Sequence, residues 1–263
     1  MILQNALAAV SRDSIAKDEQ GIHALYLKLL STLRQTQDFA TYTAATSCLL
    51  TIIRDKPFIL NQHLTEATLQ AIQSLACSYP AERLIYLDLC SLLSALLLHH
   101  RARLQGRFHL LTATLQSLQA RLFVPTKPSA DSSDRRILAP RHARAYTRLL
   151  TLICNPPTRT HNNSASGASK HNNLIDESRR ARAHVGQYVP TLLHGFCAQI
   201  LTGTLAEGVR EALTPGLWAV VEAMEVQSPD AVKALSAGMN NSERAVLRSV
   251  YDDWKRFGKW EGA

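Results

Sequence analysis

Apolar residues recur along this chain at the spacing of an α-helix, and almost no stretch alternates polar and apolar residues as a β-strand does. In residues 23–36, one helical face carries Leu25, Leu29, Leu30 and Leu33, and residues 39–55 repeat the pattern. Pro57 ends that second segment, because its ring cannot continue the hydrogen-bond ladder of a helix. The sequence also lacks the Asn-Gly and Asp-Gly pairs that mark tight hairpins. These patterns predict an all-α fold.

The helices are expected to stack in pairs. Further helical segments are predicted at 64–77, 80–100 and 104–123, and their short connections favour antiparallel neighbours. Helix pairs that repeat about every forty residues are typical of α-solenoids of the HEAT or armadillo type. The repeat lies in element size and not in residue identity, so an irregular helical bundle is the alternative. The predicted fold is α-solenoid-like (HEAT/armadillo-type) stacked helices with a C-terminal helical domain.

Two polar tracts divide the chain. Residues 124–140 are rich in Pro, Ser and Asp, which predicts a linker between a helical-repeat-like block at 1–123 and a C-terminal domain at 141–263. Residues 156–177 are polar and low in complexity, which predicts a disordered insertion within the C-terminal domain.

Helix-start signals recur in the C-terminal domain. Thr204 and Glu207 have the spacing of a capping box, in which both side chains satisfy backbone donors at a helix start. Pro215 and Pro229 each follow a capping residue and are therefore expected at the first position of a short helix.

The final helix is predicted to run from about Ser242 to a stop at Gly258. Trp254 and Phe257 lie on its apolar stripe, so we assign both side chains to the core. Trp260 lies beyond the stop glycine, and its amphipathic ring makes it the candidate protein-interface residue.

No motif for catalysis, metal binding or cofactor binding is present. The chain lacks the Gly-rich phosphate loops, the zinc-protease motif and the nucleophile elbow. His99 and His100 are adjacent on a predicted helix and point about 100° apart, so they cannot share a metal. His142 and Cys154 are about 18 Å apart along one helix and cannot act as base and nucleophile. We therefore expect no enzyme activity, no cofactor and no metal, and a helical hydrolase or transferase has no support.

The cysteines and the apolar runs also limit the class of protein. The five cysteines are odd in number and form no CxxC pair, which is typical of reduced core thiols. The most apolar run, residues 84–98, is too short to span a bilayer, and the N-terminal residues do not have the pattern of a signal peptide. We therefore expect no membrane partner.

The positive charge is concentrated in one segment. Residues 99–148 hold ten Lys and Arg against two Asp, a balance that equals the net charge of +8 of the whole chain. A guanidinium presents a planar fork of donors that suits phosphate, so this segment is a candidate contact for RNA backbone without sequence readout. The alternatives are an acidic protein partner or an ordinary solvated face. The candidate RNA and phosphate contacts are Arg101, Arg103, Arg107, Arg141, Arg144 and Arg148.

Four segments in the C-terminal half carry a family resemblance. They are HARAYTRLLTLICNPP (142–157), HVGQYVPTLLHGF (184–196), GVREALTPGLWAVVEAM (208–224) and LSAGMNNSERAVLRSVYDDWKRFGKWEGA (235–263). Together they resemble the C-terminal domain of a fungal nucleolar family that processes 27S precursor ribosomal RNA, known as unhealthy ribosome biogenesis protein two. HHRARLQGRFHLL, which begins at His99, looks like the helical region that precedes this domain.

The resemblance implies a function. Members of that family act in early large-subunit (pre-60S) particles with other nucleolar assembly factors, including helical scaffold proteins and a DEAD-box helicase, and no catalytic residues are assigned to them. We therefore expect a non-enzymatic ribosome-biogenesis factor of the nucleus and nucleolus that contacts pre-ribosomal RNA. Family members are several times longer, so a fragment, a truncated gene model or a reduced homologue is expected. The alternative is a helical-repeat adaptor outside ribosome assembly that binds acidic proteins.

Overall fold

The computed structural model describes residues 10–78, 83–125, 137–156 and 170–258. These residues are almost entirely helical, which confirms the all-α prediction. The chain divides into two compact units, unit 1 at residues 1–117 and unit 2 at residues 118–263. Most of the predicted linker at 124–140 lies outside the described residues, so the predicted domain limits stay a prediction.

Unit 1 consists of stacked helical hairpins. Its helices are α1 (Arg12–Lys17), α2 (Glu19–Gln35), α3 (Phe39–Asp55), α4 (Gln62–Ser78), α5 (Arg83–His99), a 3₁₀ turn (Arg101–Leu104) and α6 (Phe108–Ala120), which crosses into unit 2. Helix α2 packs on α3, α4 packs on α5, and the two hairpins meet through contacts of α2 with α4 and of α3 with α5. Pairs of helices thus stack as expected, and the HEAT/armadillo type stays a prediction.

Aspartate side chains cap the starts of α2 and α3. The Asp18 carboxylate accepts a hydrogen bond from the Gly21 N–H at the start of α2, and the Asp38 carboxylate accepts from the N–H groups of Ala40 and Thr41 at the start of α3. The Thr41 hydroxyl also donates to Asp38, and this bond first, followed by the two backbone bonds, lowers the pKa of the Asp38 carboxyl. Each cap satisfies donors that a helix start leaves without a partner.

The core of unit 1 is largely aliphatic, and buried polar side chains in it bridge neighbouring helices. Tyr26 is fully buried and takes the place that we assigned to Leu25, which is exposed. Its hydroxyl lies 2.8 Å from that of Thr68 on α4, and burial raises the pKa of Tyr26. The buried His100 Nε2 lies 2.9 Å from the Ile53 carbonyl oxygen near the end of α3. Both bridges satisfy groups whose burial would otherwise be costly.

Unit 2 is built around one long helix. The elements that follow α6 are β1 (Phe123–Pro125), α7 (Pro140–Cys154), α8 (Lys170–Gly186), α9 (Pro190–Thr202), β2 (Gly203–Leu205), α10 (Val209–Gln227), α11 (Ala231–Ala237), α12 (Asn241–Asp253) and a π-helical turn (Trp254–Gly258). Helix α10 contacts α7, α8, α9, α11 and α12, and its most extensive contact is with α7.

A glycine permits the close approach of α10 to α7. A Cβ atom at Gly216 would lie 3.0 Å from Leu150 Cδ1 and 3.1 Å from the Cα of Thr147. The Thr147 hydroxyl donates to the Ala212 carbonyl oxygen at 2.6 Å and ties the two helices together. This contact fixes the relative position of α7 and α10.

Three predicted helix starts in unit 2 are wrong. Thr204 does not cap a helix but lies in β2, and α10 begins after Gly208, whose φ of 71° is a left-handed conformation suited to glycine. Pro215 lies inside α10 and not at its first position. Packing of α10 against α7 offsets the hydrogen bond that the proline removes. Pro229 precedes α11, which begins two residues later at Ala231.

A strand pair and one helix start also differ from the sequence-based expectation. Strands β1 and β2 form an antiparallel pair in which Val124 faces Thr204, although no strand was predicted. Helix α8 begins at Lys170, so the structure contradicts the predicted disordered insertion at 156–177 over its last eight residues. Residues such as Glu177, Arg179 and Ala181 favour helix and extend it backwards once it has formed. The remainder of that tract, at 157–169, lies outside the described residues.

The last helix agrees with the prediction except at its end. Asn240 and Glu243 form a capping box at the start of α12, and Trp254 is a core residue with 5% of its surface exposed, as predicted. Phe257 is 60% exposed, so its assignment to the core is wrong. The wider π-helical turn that begins at Trp254 carries Phe257 off the apolar stripe. The interface candidate Trp260 lies outside the described residues.

All five cysteines are free thiols. Cys48, Cys90, Cys154 and Cys197 are buried, which confirms their assignment to the core. Cys77 is exposed near the end of α4, so that assignment is wrong for this one thiol.

Candidate nucleic-acid interface

The six arginines that we selected as phosphate contacts fall into two groups. Arg101, Arg103 and Arg107 lie in and just after the 3₁₀ turn of unit 1. The other three lie on helix α7 of unit 2. The structure gives the two groups different surroundings.

The group in unit 1 is largely engaged within the protein. The Arg107 Nε lies 2.6 Å from Glu66 Oε1, which also accepts a hydrogen bond from the Gln62 amide at 2.7 Å. These two bonds, that from Gln62 first, lower the pKa of the Glu66 carboxyl. Arg101 and Arg103 are half-buried, and the Arg103 Nε is inaccessible to solvent. These side chains have less freedom to meet a phosphate than the sequence suggested.

The group in unit 2 forms one exposed face. Arg141, Arg144 and Arg148 follow each other at three and four residues along α7, and all three side chains are exposed. The opposite face of α7 is buried, with Tyr146 and Leu150 fully inaccessible to solvent. Within the described residues, none of the three arginines forms an ion pair. Their donors are therefore available to an anionic ligand.

A groove runs beside this face. Its volume is about 480 Å³, and Arg144 and Arg148 line one side while the first turns of α10 line the other. Glu211 is the carboxylate that lines it, and Gly208 packs so closely on Pro140 that an added Cβ would lie 3.1 Å from Pro140 Cγ. Besides the two arginines and Glu211, the groove is lined by Pro140, Thr147, Gly208, Ala212 and Pro215.

A second groove was missed by the sequence reasoning. It lies between α11 and α12, has a volume of about 290 Å³, and is lined by four cationic side chains and by no carboxylate. The cations are spread over α11, α12 and the π-helical turn, and nearby acidic residues bring the net charge of this part of the chain close to zero. The signal that could have found it is the one-face spacing of Arg244, Arg248, Tyr251 and Lys255 along a helix. The other lining residues are Val232, Lys233, Ser236 and Leu247.

The buried histidine of α7 has a structural role. His142 is fully buried, and its Nδ1 accepts a hydrogen bond at 3.0 Å from the Ala139 N–H, just before the helix. The side chain thus performs the task that glutamate has in a capping box. Cys154 is buried at the other end of the helix, as the sequence predicted.

The described residues contain neither a candidate metal site nor a helix that could cross a membrane. In ranges 10–78, 83–125, 137–156 and 170–258, no cluster of three His, Cys, Asp or Glu side chains could hold a metal ion. Over the same residues, no helix is both long and apolar enough to cross a membrane.

Comparison with known proteins gives one match. The model of the Urb2/Npa2 family matches residues 43–263, which is most of the chain and includes parts of both units. No curated protein and no solved structure matches the chain.

Proposed function

Since the chain belongs to the Urb2/Npa2 family, which implies a role in ribosome biogenesis, we propose that it is a non-enzymatic helical scaffold in pre-60S assembly. The family match over residues 43–263 is the observation that carries this proposal. The same membership implies a nuclear and nucleolar location. In the proposed role, the chain supports 27S precursor RNA processing by holding RNA and assembly factors together.

The exposed face of α7 is the proposed RNA contact. Arg141, Arg144 and Arg148 present their guanidinium forks on one side of a helix, and none of them forms an ion pair with a described residue. Such forks bind phosphate oxygens in a bidentate manner. Phosphate contacts position a protein on nucleic acid without reading its bases. We therefore infer backbone recognition of precursor rRNA without sequence preference at this face.

Protein partners form the second part of the proposal. Other nucleolar assembly factors, including a helical scaffold protein and a DEAD-box helicase, are the proposed neighbours in the pre-60S particle. The hairpin stack of unit 1 supports this idea, because stacked helical pairs present extended surfaces on which partners bind.

Purification of the tagged chain from nucleoli tests the function. Sequencing of the copurified RNA should show enrichment of 27S precursor rRNA over mature rRNA. Recovery of acidic proteins without precursor rRNA would instead support an adaptor outside ribosome assembly and would contradict the proposal.

A triple substitution tests the RNA contact. Binding of single-stranded RNA should fall with salt at a log–log slope of about −0.7 for each phosphate that is neutralised. Replacing Arg141, Arg144 and Arg148 with Gln should therefore flatten the slope by roughly two units and weaken binding to all sequences alike. Gln preserves helix propensity, so the fold of α7 should be unaffected.

A matched variant controls for net charge. Lys28, Arg34 and Arg54 are exposed in unit 1, so replacing them with Gln removes the same charge from the other unit. This control should retain the salt slope of the wild-type chain within about half a unit, because it removes no phosphate contact. Equal slopes for the wild-type chain and the α7 variant would exclude the α7 face from RNA binding.

A further inference from the structure

We propose that the groove between α11 and α12 binds an acidic peptide segment of a partner protein that also carries an apolar side chain. The groove is lined by Lys233, Arg244, Arg248 and Lys255 and has no carboxylate in its wall. The proposal names a partner class at a surface distinct from α7, so it does not depend on the RNA contact proposed there.

The cations of this groove are held in different ways. Arg244 donates to the carbonyl oxygens of Ser236 and Ala237 at 2.8 and 3.2 Å, and so closes the C-terminal end of α11. Lys233 pairs with Asp230 at 2.9 Å, but both side chains are largely exposed, and such pairs are weak. Arg248 is exposed and forms no ion pair with any described residue. The groove thus combines a fixed wall with cations that can exchange partners.

The floor of the groove is apolar. Val232 and Leu247 line it, and both side chains are buried. Because little of the floor itself is exposed, most of the apolar surface open to a ligand belongs to the aliphatic stems of the lysines and arginines around it. An amphipathic peptide suits this surface, because its apolar side chain can lie along these stems while its carboxylates meet their cationic ends. A volume of about 290 Å³ is at or below the lower limit of small-molecule pockets, which favours a side chain of a larger partner.

The aromatic residue in the groove argues against RNA. Single-stranded nucleic acid is held by bases that stack on exposed aromatic faces. The Tyr251 ring is stacked on Trp254 at 5.6 Å between centroids, and Lys255 Nζ lies 4.3 Å from its centroid. Its hydroxyl donates to Glu225 Oε1 at 3.2 Å. Because Trp254 and Lys255 already contact the ring and Glu225 binds its hydroxyl, the Tyr251 ring is not available to stack on a base.

Fluorescence anisotropy with the full chain tests the proposal. The probes are a fluorescein-labelled peptide of repeated Glu-Glu-Leu-Glu and a labelled ten-nucleotide single-stranded RNA. Replacing Arg248 and Lys255 together with Gln should weaken peptide binding about five-fold to ten-fold, because each exposed pair contributes a modest amount. RNA binding by this variant should change less than two-fold.

A gain-of-binding variant removes the ambiguity of misfolding. Asp230 is exposed and competes for Lys233, and its side chain makes no capping hydrogen bond, so Asp230→Asn should strengthen peptide binding about two-fold. A folding defect cannot produce that result. The matched control is the double replacement of Lys28 and Arg34 with Gln, which should leave peptide affinity within two-fold of the wild-type value.

The outcomes separate the two proposals. Loss of peptide binding in the Arg248 and Lys255 variant together with a gain in Asp230→Asn supports the peptide groove, whatever the α7 variant does. Peptide affinity that is unchanged in both variants overturns it. A loss of RNA binding larger than the loss of peptide binding also overturns it and assigns the groove to RNA.

Discussion

Removal of the Trp254 side chain should destabilise unit 2 strongly. The indole is 5% exposed and stacks on Tyr251, and a Cβ at Gly258 would lie only 2.5 Å from its Cδ1 atom. The last turn therefore closes tightly over the ring, and little can move into the space that it leaves. Large aromatic side chains in such sites cost about 3–5 kcal/mol on truncation to Ala. We expect Trp254→Ala to lower the free energy of unfolding of unit 2 by that amount.

Thiol accessibility measures this change in unit 2 alone. Cys154 and Cys197 are buried in unit 2, so a thiol reagent pulsed over a urea series labels them only in molecules whose unit 2 is open. Mass spectrometry of the labelled peptides then yields an unfolding curve for this unit. The matched control is Phe257→Ala, which removes an aromatic ring three residues further on that is 60% exposed. The control should change the free energy of unfolding by about 0.5 kcal/mol or less.

Comparison of the two variants tests whether Trp254 is a core residue and Phe257 a surface residue. Similar losses for Trp254→Ala and Phe257→Ala would refute the inference that the π-helical turn separates a core ring from a surface ring. A loss below about 1 kcal/mol for Trp254→Ala would show that the ring does not belong to the core.

Three further predictions concern single positions. Gly216→Val should lower the stability of unit 2 by about 1–3 kcal/mol in the same assay, because the added Cβ would meet α7 at 3.0–3.1 Å. The control Gly238→Ala should be tolerated, because no atom lies within 3.4 Å of the added Cβ. Asn240→Ala should cost about 1 kcal/mol through loss of the capping box, and a cost near zero would contradict that role. In the native chain, Ellman's reagent should react with Cys77 alone, because the other four thiols are buried. Burial also raises the pKa of the Cys197 thiol to about 12, which keeps it protonated and unreactive. Rapid reaction of a second thiol would contradict the assigned burial.

Local signals made parts of the fold predictable. Helix α3 runs from Phe39 to Asp55 as predicted, because its apolar period, its Asp38 cap and the nearby Pro57 all indicate the same limits. The start of α10 was not predictable in this way. Its packing on α7 at Gly216 joins residues more than sixty positions apart, and that contact makes a helix of a segment that Pro215 would locally interrupt.

The candidate sites also differ in whether local sequence signals could predict them. The exposed face of α7 follows from helical spacing alone, and the structure places all three arginines on it. The engagement of Arg107 depends on Glu66, which is 41 positions away and gives no signal in the sequence near Arg107. The groove between α11 and α12 was missed because basic and acidic residues balance along this part of the chain. Only the fold brings the four cations to one surface.

The two grooves of unit 2 share one support, helix α10. Its first turns, including Glu211, line the groove beside α7, and Glu225 near its other end accepts the hydrogen bond from Tyr251 in the second groove. Fourteen residues of helix separate Glu211 from Glu225, which corresponds to about 21 Å. Charges at that separation are screened at physiological salt, where the Debye length is about 8 Å. If the α7 face binds RNA and the second groove binds an acidic segment, as we propose, their negative charges would therefore scarcely repel each other, and the two ligands would not compete.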